Sequence, residues 1–285
     1  MIIGIIGQGF VGSAIREGLN SFYTILTYDL DAEKCNSTHE EVCTKADIIF
    51  VCIPTPMRKS GECDTRLLEK VVARIDTECK NNKKKNKPTL VLKSTIPPGT
   101  TKRVNSSTFL DVCFSPEFLT EANSFNDFKN QARIIIGGDP TIGCRGAKKV
   151  KSMFRKPFPD IPIVVTKSET AEMVKYFINC FLATKVTFAN EMYQICNAAD
   201  IDYDKICEYA RYDPRIGKSH LSVPGPDGDL GFGGHCFPKD LAAMIYFGSE
   251  NNVTTSFLGS VQKKNNYLRS NKDWETMPGR AVSND

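Results

Sequence analysis

Seven short apolar runs, spaced by helical patterns, set the architecture of the first half of this chain. They are IIGIIG (2–7), TILTYD (24–29), DIIFVCI (47–53), TLVLKST (89–95), DVCFS (111–115), ARIIIGG (132–138) and IPIVVT (161–166). Several are near-continuous in Ile, Val and Leu. Such runs suit strands buried on both faces of a parallel sheet, with helices on each side. The alternation predicts an α/β domain with a doubly wound, Rossmann-type sheet over residues 1–167.

The pattern changes near residue 167. Ser168 or Thr170, followed by acids, gives a helix start, and no Gly or Pro occurs until beyond Ala199. Apolar residues recur at Met173, Phe177, Phe181, Phe188, Met192 and Ile195, with neighbours widening the stripe. The reading is one long helix, apolar over much of its circumference, that bridges two domains or packs against a partner. YDKICEYAR, PKDLAAMIYFGSE and TSFLGSVQKKNNYLRS read as further helices around a Gly/Pro-rich loop at 213–235. Residues 168–270 are thus expected to form the long central helix and a small all-helical dimerisation and catalytic domain. The polar tail, 271–285, is expected to be loosely ordered.

Composition excludes several function classes. A length of 285 residues leaves room for two domains. The net charge of +4 comes without a long basic face, so nucleic acid is not an expected partner. The basic run KNNKKKNKP (80–88) reads as a solvated loop, with an anion-binding patch as the competing reading. No run reaches the roughly 18 apolar residues of a membrane span, and the N-terminus lacks the basic flank of a signal peptide. Eleven cysteines without any C-x-x-C, and only three histidines, speak against disulfide frameworks, structural zinc or any other metal. A reducing, cytoplasmic setting fits. Most cysteines, such as Cys52, then read as small buried hydrophobes.

In GIIGQGFVGSAI, Gly7, Gly9 and Gly12 form G-x-G-x-x-G directly after a strand and at the opening of a helix. The spacing suits a tight turn, close approach of a pyrophosphate, and close helix–strand packing. Phe10 and Val11 join the glycines as cofactor-binding candidates, and the phosphates would lie on the helix N-terminus. Asp29 ends the next strand, where an acid suits the two ribose hydroxyls of NAD and repels a 2′-phosphate. Lys34 nearby is the one residue that argues for NADP. CIPTP (52–56) and KSTIPPGT (93–100) end strands at the ligand edge of such a sheet, so Thr55 and Thr95 are candidates near a nicotinamide. A plain turn is the competing reading of each.

SPEFLTEANSF (115–125) places Glu117 and Glu121 four residues apart, on one face if a helix starts there. Helix starts favour acids in any case. Lys175 and Asn179 are also i and i+4, on the long helix. A lysine on a largely apolar helix needs a partner or a task unless that face meets solvent. In GFGGHCFPKD (231–240), Cys236 differs from the other cysteines by its neighbours. Glycines permit close approach, Pro238 suits the first helical turn, and a helix N-terminus favours negative charge on sulfur. Lys239 adds positive charge, and Asp240 adds a carboxylate. A buried structural cysteine would need none of these.

These motifs together resemble the UDP-glucose/GDP-mannose dehydrogenase family from Met1 to about Arg269. GIIGQGFVG, PTP, KSTIPPGT, SPEFLTEA, Lys175 with Asn179, DPRIG and GFGGHCFPKD occur in the family's order. The Phe-Pro after Cys236 is closer to its UDP-glucose branch. The resemblance implies oxidation of a sugar's C6 alcohol to a carboxylate with reduction of two NAD, UDP-glucose becoming UDP-glucuronate. Cys236 would form a thiohemiacetal and then a thioester. Lys175 and Asn179 would stabilise the oxygen carrying developing charge, and Asp240 and Thr95 would orient a water. Glu117 could act as base in hydrolysis. Glu121 would be a second carboxylate, Lys239 would lie near the substrate, and Arg215 would reach the sugar nucleotide across a subunit boundary. A homodimer through the long helix follows.

Two departures stand out. His235 occupies a position where the family commonly has a small residue, usually serine. Family members also continue into a further α/β domain that closes over the uridine diphosphate, which reads this chain as a short form, a fragment, or one completed by a separate chain. Two other functions stay open at this point. One is a two-electron hydroxyacid-type dehydrogenase, which needs no cysteine. The other is an inactive NAD-binding regulatory chain.

Overall fold

The computed structural model describes residues 1–81, 87–138 and 145–284, so positions 82–86 of the basic run lie outside the described residues. The chain divides into two compact units: Met1–Thr55 with Thr65–Lys175, and Pro56–Asp64 with Tyr176–Asp285. Among the described residues no helix is long and apolar enough to cross a membrane.

In the first unit strands and helices alternate: β1 (Ile2–Ile6), α1 (Phe10–Leu19), β2 (Thr24–Tyr28), α2 (His39–Lys45), β3 (Ile48–Val51), α3 (Arg66–Asn81) and β4 (Thr89–Leu92). There follow α4 (Thr100–Ser106), β5 (Asp111–Phe114), α5 (Ser124–Lys129), β6 (Ile134–Gly137), α6 (Arg145–Arg155) and β7 (Ile163–Thr166). Each of the seven apolar runs contains a strand. They form one sheet in the order β2-β1-β3-β4-β5-β6-β7. The chain leaves β1 in one direction to β2 and returns on its other side as β3, so the topological switch point lies between β1 and β3.

Side chains of period two feed two cores. Ile3, Ile5, Ile48, Phe50 and Val91 meet α1 and α6, whereas Ile49, Val51, Leu90, Leu92 and Phe114 meet α2 and α3. The expectation of a parallel sheet needs one correction. Strand β6 runs antiparallel to β5, pairing Phe114 with Gly137, and β7 follows β6 in parallel. A run buried on both faces has the same composition in either direction, so nothing in ARIIIGG marks the reversal.

The long helix α7 (Ser168–Ala198) has the expected extent. Its buried stripe runs through Ala171, Lys175, Tyr176, Asn179, Cys180 and Ala183 at helical spacing. Phe177, Phe181 and Phe188 face outward, 70%, 61% and 62% exposed. The division between the units falls inside α7, at Lys175/Tyr176, whereas the sequence places it at the helix start.

The second unit adds α8 (Tyr203–Ala210), α9 (Phe237–Glu250) and α10 (Ser256–Leu268). Its core joins Cys63, Tyr176, Cys180, Phe232, Leu241, Met244 and Val261, which explains why residues 56–64 belong here. The tail is not loose. Trp274 and Ala281 are buried, the Met57 N–H donates to the Ala281 carbonyl at 2.8 Å, and the Ser283 N–H donates to the Met57 carbonyl at 2.7 Å. A single tryptophan gives this polar stretch the apolar anchor that its composition hides.

Candidate active site

The glycine loop between β1 and α1 has the shape of a phosphate cradle. Gly7 adopts φ +92°, and a Cβ on Gly12 would lie 1.9 Å from the Gly7 carbonyl oxygen, so neither position tolerates a side chain. Gly9, the N-cap of α1, has open space beside it and no side-chain cap. No acid occupies the first turn of α1, and the buried Gln8 Oε1 has no partner. An uncapped helix N-terminus beside open space fits a pyrophosphate. Asp29 closes the loop from β2, accepting the Gln8 N–H at 2.5 Å and the Asp31 N–H at 3.0 Å. Lys34 is exposed and pairs with Asp31 at 3.1 Å.

Beyond β3 and β4, two strand-end loops are tied together. The Thr55 hydroxyl donates to the Thr95 carbonyl at 2.7 Å, and the Ser94 hydroxyl donates to the Ile53 carbonyl at 2.5 Å. Thr55 is therefore a tether in this structure. Nearby lies a buried charge cluster that the sequence only half revealed. Glu117 pairs with Lys175 at 2.8 Å and accepts the Leu119 N–H at 2.7 Å. Burial pushes the Glu117 carboxyl up, but Lys175, the Leu119 N–H and Lys93 outweigh it and hold it below its usual range. Lys93 is buried and donates to the Pro116 carbonyl at 2.9 Å. Burial, against opposing pulls from Cys52 and Glu117, brings its ammonium down to about 8. A cavity of about 480 Å³ opens beside this cluster, lined by Lys93, Glu117, Phe118, Asn123, Asp127 and Arg133 among others.

The expected helical pairing of Glu117 with Glu121 is not formed. Residues 115–120 are irregular and a short 3₁₀ turn begins only at Glu121, so Glu117 is buried while Glu121 is exposed. Pro116 and the bond from Leu119 back to the Glu117 carboxylate favour a local turn over a helix start.

In the second unit Cys236 is the N-cap of α9, and Pro238 is the second helical residue. One turn on, Asp240 is almost wholly buried with both oxygens engaged. Lys239 Nζ lies 2.5 Å from Oδ1, and Asn179 Nδ2 donates to Oδ2 at 2.5 Å. Burial pulls the Lys239 ammonium down, but Asp240, with Cys63 and Cys236, outweighs it and raises it above its usual range. Lys239 therefore serves Asp240 in this structure. His235 is half-buried beside Cys236. Arg215 is exposed and engages Asp213 at 2.5 Å.

Four residues absent from the sequence reading of the site hold the glycine-rich loop before Cys236. Asn190 accepts the Gly231 N–H at 3.0 Å. Asn265 accepts the Phe232 N–H at 2.7 Å and donates to its carbonyl at 2.9 Å. Asp273 accepts the Gly234 N–H at 2.9 Å. Arg269, buried, reaches Asp227 at 2.7 Å and Asp273 at 3.4 Å.

Comparison with known proteins sorts these clusters. Residues 34–156 match the NAD binding domain, and residues 169–267 the central domain, of the UDP-glucose/GDP-mannose dehydrogenase family. YtcA of Bacillus subtilis is 30% identical over 99% of this chain and 73% of its own length. The chain belongs to the UDP-glucose/GDP-mannose dehydrogenase family. UDP-glucose 6-dehydrogenase TuaD of B. subtilis is 36% identical over 70% of this chain and 42% of its own length. A UDP-glucose dehydrogenase from Pyrobaculum islandicum superposes with a TM-score of 0.82 at 27% identity, over 93% of this chain and 68% of that one. A Mycobacterium tuberculosis 3-hydroxyisobutyrate dehydrogenase shares the fold, with a TM-score of 0.71 at 15% identity over 95% of each chain.

As a member of this family of NAD-dependent nucleotide-sugar dehydrogenases, the chain has NAD as its cofactor. The loop at Gly7–Gly12 and Asp29 are the residues that would hold it. The family's NAD binding domain covers Lys93, Thr95 and Glu117, and its central domain covers Lys175, Asn179, Cys236 and Asp240. Lys93 had one visible signal, a lysine closing an otherwise apolar strand. Asn190, Asn265, Arg269 and Asp273 had none.

Proposed function

We propose that the chain oxidises the C6 alcohol of UDP-glucose to a carboxylate in two NAD-dependent steps, through a thioester on Cys236. The observation that carries this reading is Asp240, buried one turn from Cys236 and fixed on both oxygens by Lys239 and Asn179. A structural cysteine gains nothing from an immobilised carboxylate one turn away.

NAD, when bound, supplies the hydride acceptor for both oxidations. The protein's residues handle the rest. An aldehyde has no easily transferred hydride until a nucleophile adds. Cys236 forms a C–S bond to the aldehyde carbon, its proton leaving through a water that Asp240 and Thr95 orient. Positive charge from Lys175 and the Asn179 amide stabilise the oxygen of the resulting thiohemiacetal. The second oxidation leaves a thioester. Glu117, kept ionised by its lysine neighbours, accepts a proton from the water that adds to the thioester carbonyl, and that proton returns to the sulfur as the C–S bond breaks, which restores the thiol and the carboxylate and releases the acid. Glu121 and Arg215 contribute to substrate binding, Arg215 from a second copy of the chain. The outward phenylalanines of α7 form the contact of that homodimer.

The test is stoichiometry across a panel of UDP- and GDP-sugars. Two NADH per UDP-glucose consumed is expected, with turnover lost in Cys236→Ala. A ratio of one, or an undiminished Cys236→Ala variant, would mean two-electron chemistry. Thermal stabilisation by NAD without turnover of any sugar would mean a regulatory chain.

A further inference from the structure

The first unit holds a group of metal-ligating side chains that the proposed reaction does not use. His39 and Cys43 are one turn apart on α2, and Glu78 faces them from α3. His39 Nδ1 lies 2.7 Å from Glu78 Oε2 and 3.6 Å from Cys43 Sγ. One ligand atom from each residue falls within 4.8 Å of the others. His39 and Cys43 are buried, whereas the Glu78 side chain keeps 23% exposure.

From this arrangement the geometry points to a divalent-metal site of the zinc class, held by His39, Cys43 and Glu78, that joins α2 to α3. Three physical arguments support it. Tetrahedral zinc with N and S ligands at their usual lengths sets them about 3.6 Å apart, which is the separation found. Tetrahedral N and O ligands sit about 3.4 Å apart, so Glu78, partly exposed and now 2.7 Å from His39, has to withdraw by about 0.7 Å, a movement its solvent side leaves room for. Charge also balances: one thiolate and one carboxylate neutralise a divalent cation, so the buried site needs no further counterion. A mixed imidazole, thiolate and carboxylate set suits zinc over magnesium or calcium. The fourth position would fall to water.

The surroundings fit the same reading. Tyr28 packs edge-on against His39, with ring centroids 4.9 Å apart, and fixes the imidazole. Arg74 lies on the outer side, bonded to the second Glu78 oxygen at 3.0 Å. Cys79 donates to the Cys43 carbonyl at 3.4 Å. A metal is held by the thiolate, so the Cys43 thiol gives up its proton on binding. Binding would displace that proton to solvent and leave a metal–sulfur bond, with no change of oxidation state.

Cobalt(II) titration of the full chain tests the site. Expected is a thiolate-to-cobalt charge-transfer band in the near ultraviolet, saturating at about one metal per chain. The band should persist in Cys236→Ala and Cys79→Ala and vanish in Cys43→Ala. Glu78→Gln, at a partly exposed position and with its fold checked by thermal melting, should weaken cobalt binding at least tenfold. Zinc should raise the melting temperature of the wild-type chain and not of Cys43→Ala. No band, a band that follows Cys236, or a band retained by Cys43→Ala would overturn the proposal, as would Glu78→Gln binding cobalt as tightly as wild type.

Discussion

Asn179 and Asp240, 61 residues apart in sequence, meet as a buried amide–carboxylate hydrogen bond of 2.5 Å. The contact ties α7 to the first turn of α9 and orients the carboxylate that follows Cys236. Replacing Asp240 by Asn keeps the shape but removes the charge that would order a proton-accepting water. We expect kcat to fall about 10²–10⁴-fold, and Asn179→Ala to cost about 10²–10³-fold. Steady-state NADH production should show both losses, while NAD affinity by calorimetry stays unchanged.

Glu117 is buried, pairs with Lys175 at 2.8 Å and feels the charge of Lys93. Glu117→Ala would take from the buried Lys175 ammonium its carboxylate partner. Removing one partner of a buried ion pair costs about 3–5 kcal/mol, and urea unfolding of the variant should show a loss of that size. A loss below about 1 kcal/mol would mean that water screens the cluster.

Glu172, on α7, accepts the Gly99 and Thr101 N–H groups at 2.7 Å each and so caps α4. Burial nevertheless outweighs these bonds and brings its carboxyl up to about 7 from the usual 4.5. A carboxyl raised on folding is protonated more in the folded chain than in the unfolded one. Its contribution to stability is therefore full below about 4.5 and lost as the pH rises through 7. Between those values the wild-type melting temperature should carry a downward contribution that Glu172→Gln lacks. Thermal melts across that window should show a shallower pH dependence in the variant, even if its bonds to α4 are weaker.

Asn265 satisfies both backbone groups of Phe232. In Asn265→Ala a buried donor and a buried acceptor lose their partner, at about 1–3 kcal/mol for each group. The loop leading to Cys236 should loosen. Amide hydrogen exchange at residues 231–234 should rise, and turnover should fall more than NAD affinity does.

The outward face of α7 presents Phe177, Phe181 and Phe188 to solvent in the single chain. If a second copy covers it, Phe181→Glu should convert a dimer to a monomer in light scattering. A wild-type chain that is already monomeric at micromolar concentration would end that reading.

The seven strands were legible because each is a bounded run of branched apolar residues, and α7 because no Gly or Pro interrupts it. The reversal at β6 was not, since burial on both faces imposes composition without direction. Cys236 and Asp240 could be read together because one helical turn separates them. The network of Asn190, Asn265 and Asp273 bridges 33 to 41 residues to reach the same loop, and no local spacing encodes it. Glu117 and Glu121 misled for the opposite reason: a helical spacing was present, but a proline and a local side-chain bond diverted the backbone. His39, Cys43 and Glu78 combine one helical pair with a ligand from a second helix, a pattern outside the short motifs by which metal sites are recognised.

Asn265 grips the main chain at position 232 and leaves the side chain there to the core. The support of the loop is therefore indifferent to which residue occupies that position. A library that varies Phe232 while retaining Asn265 could retune the packing under the nucleophile without moving the backbone that presents it.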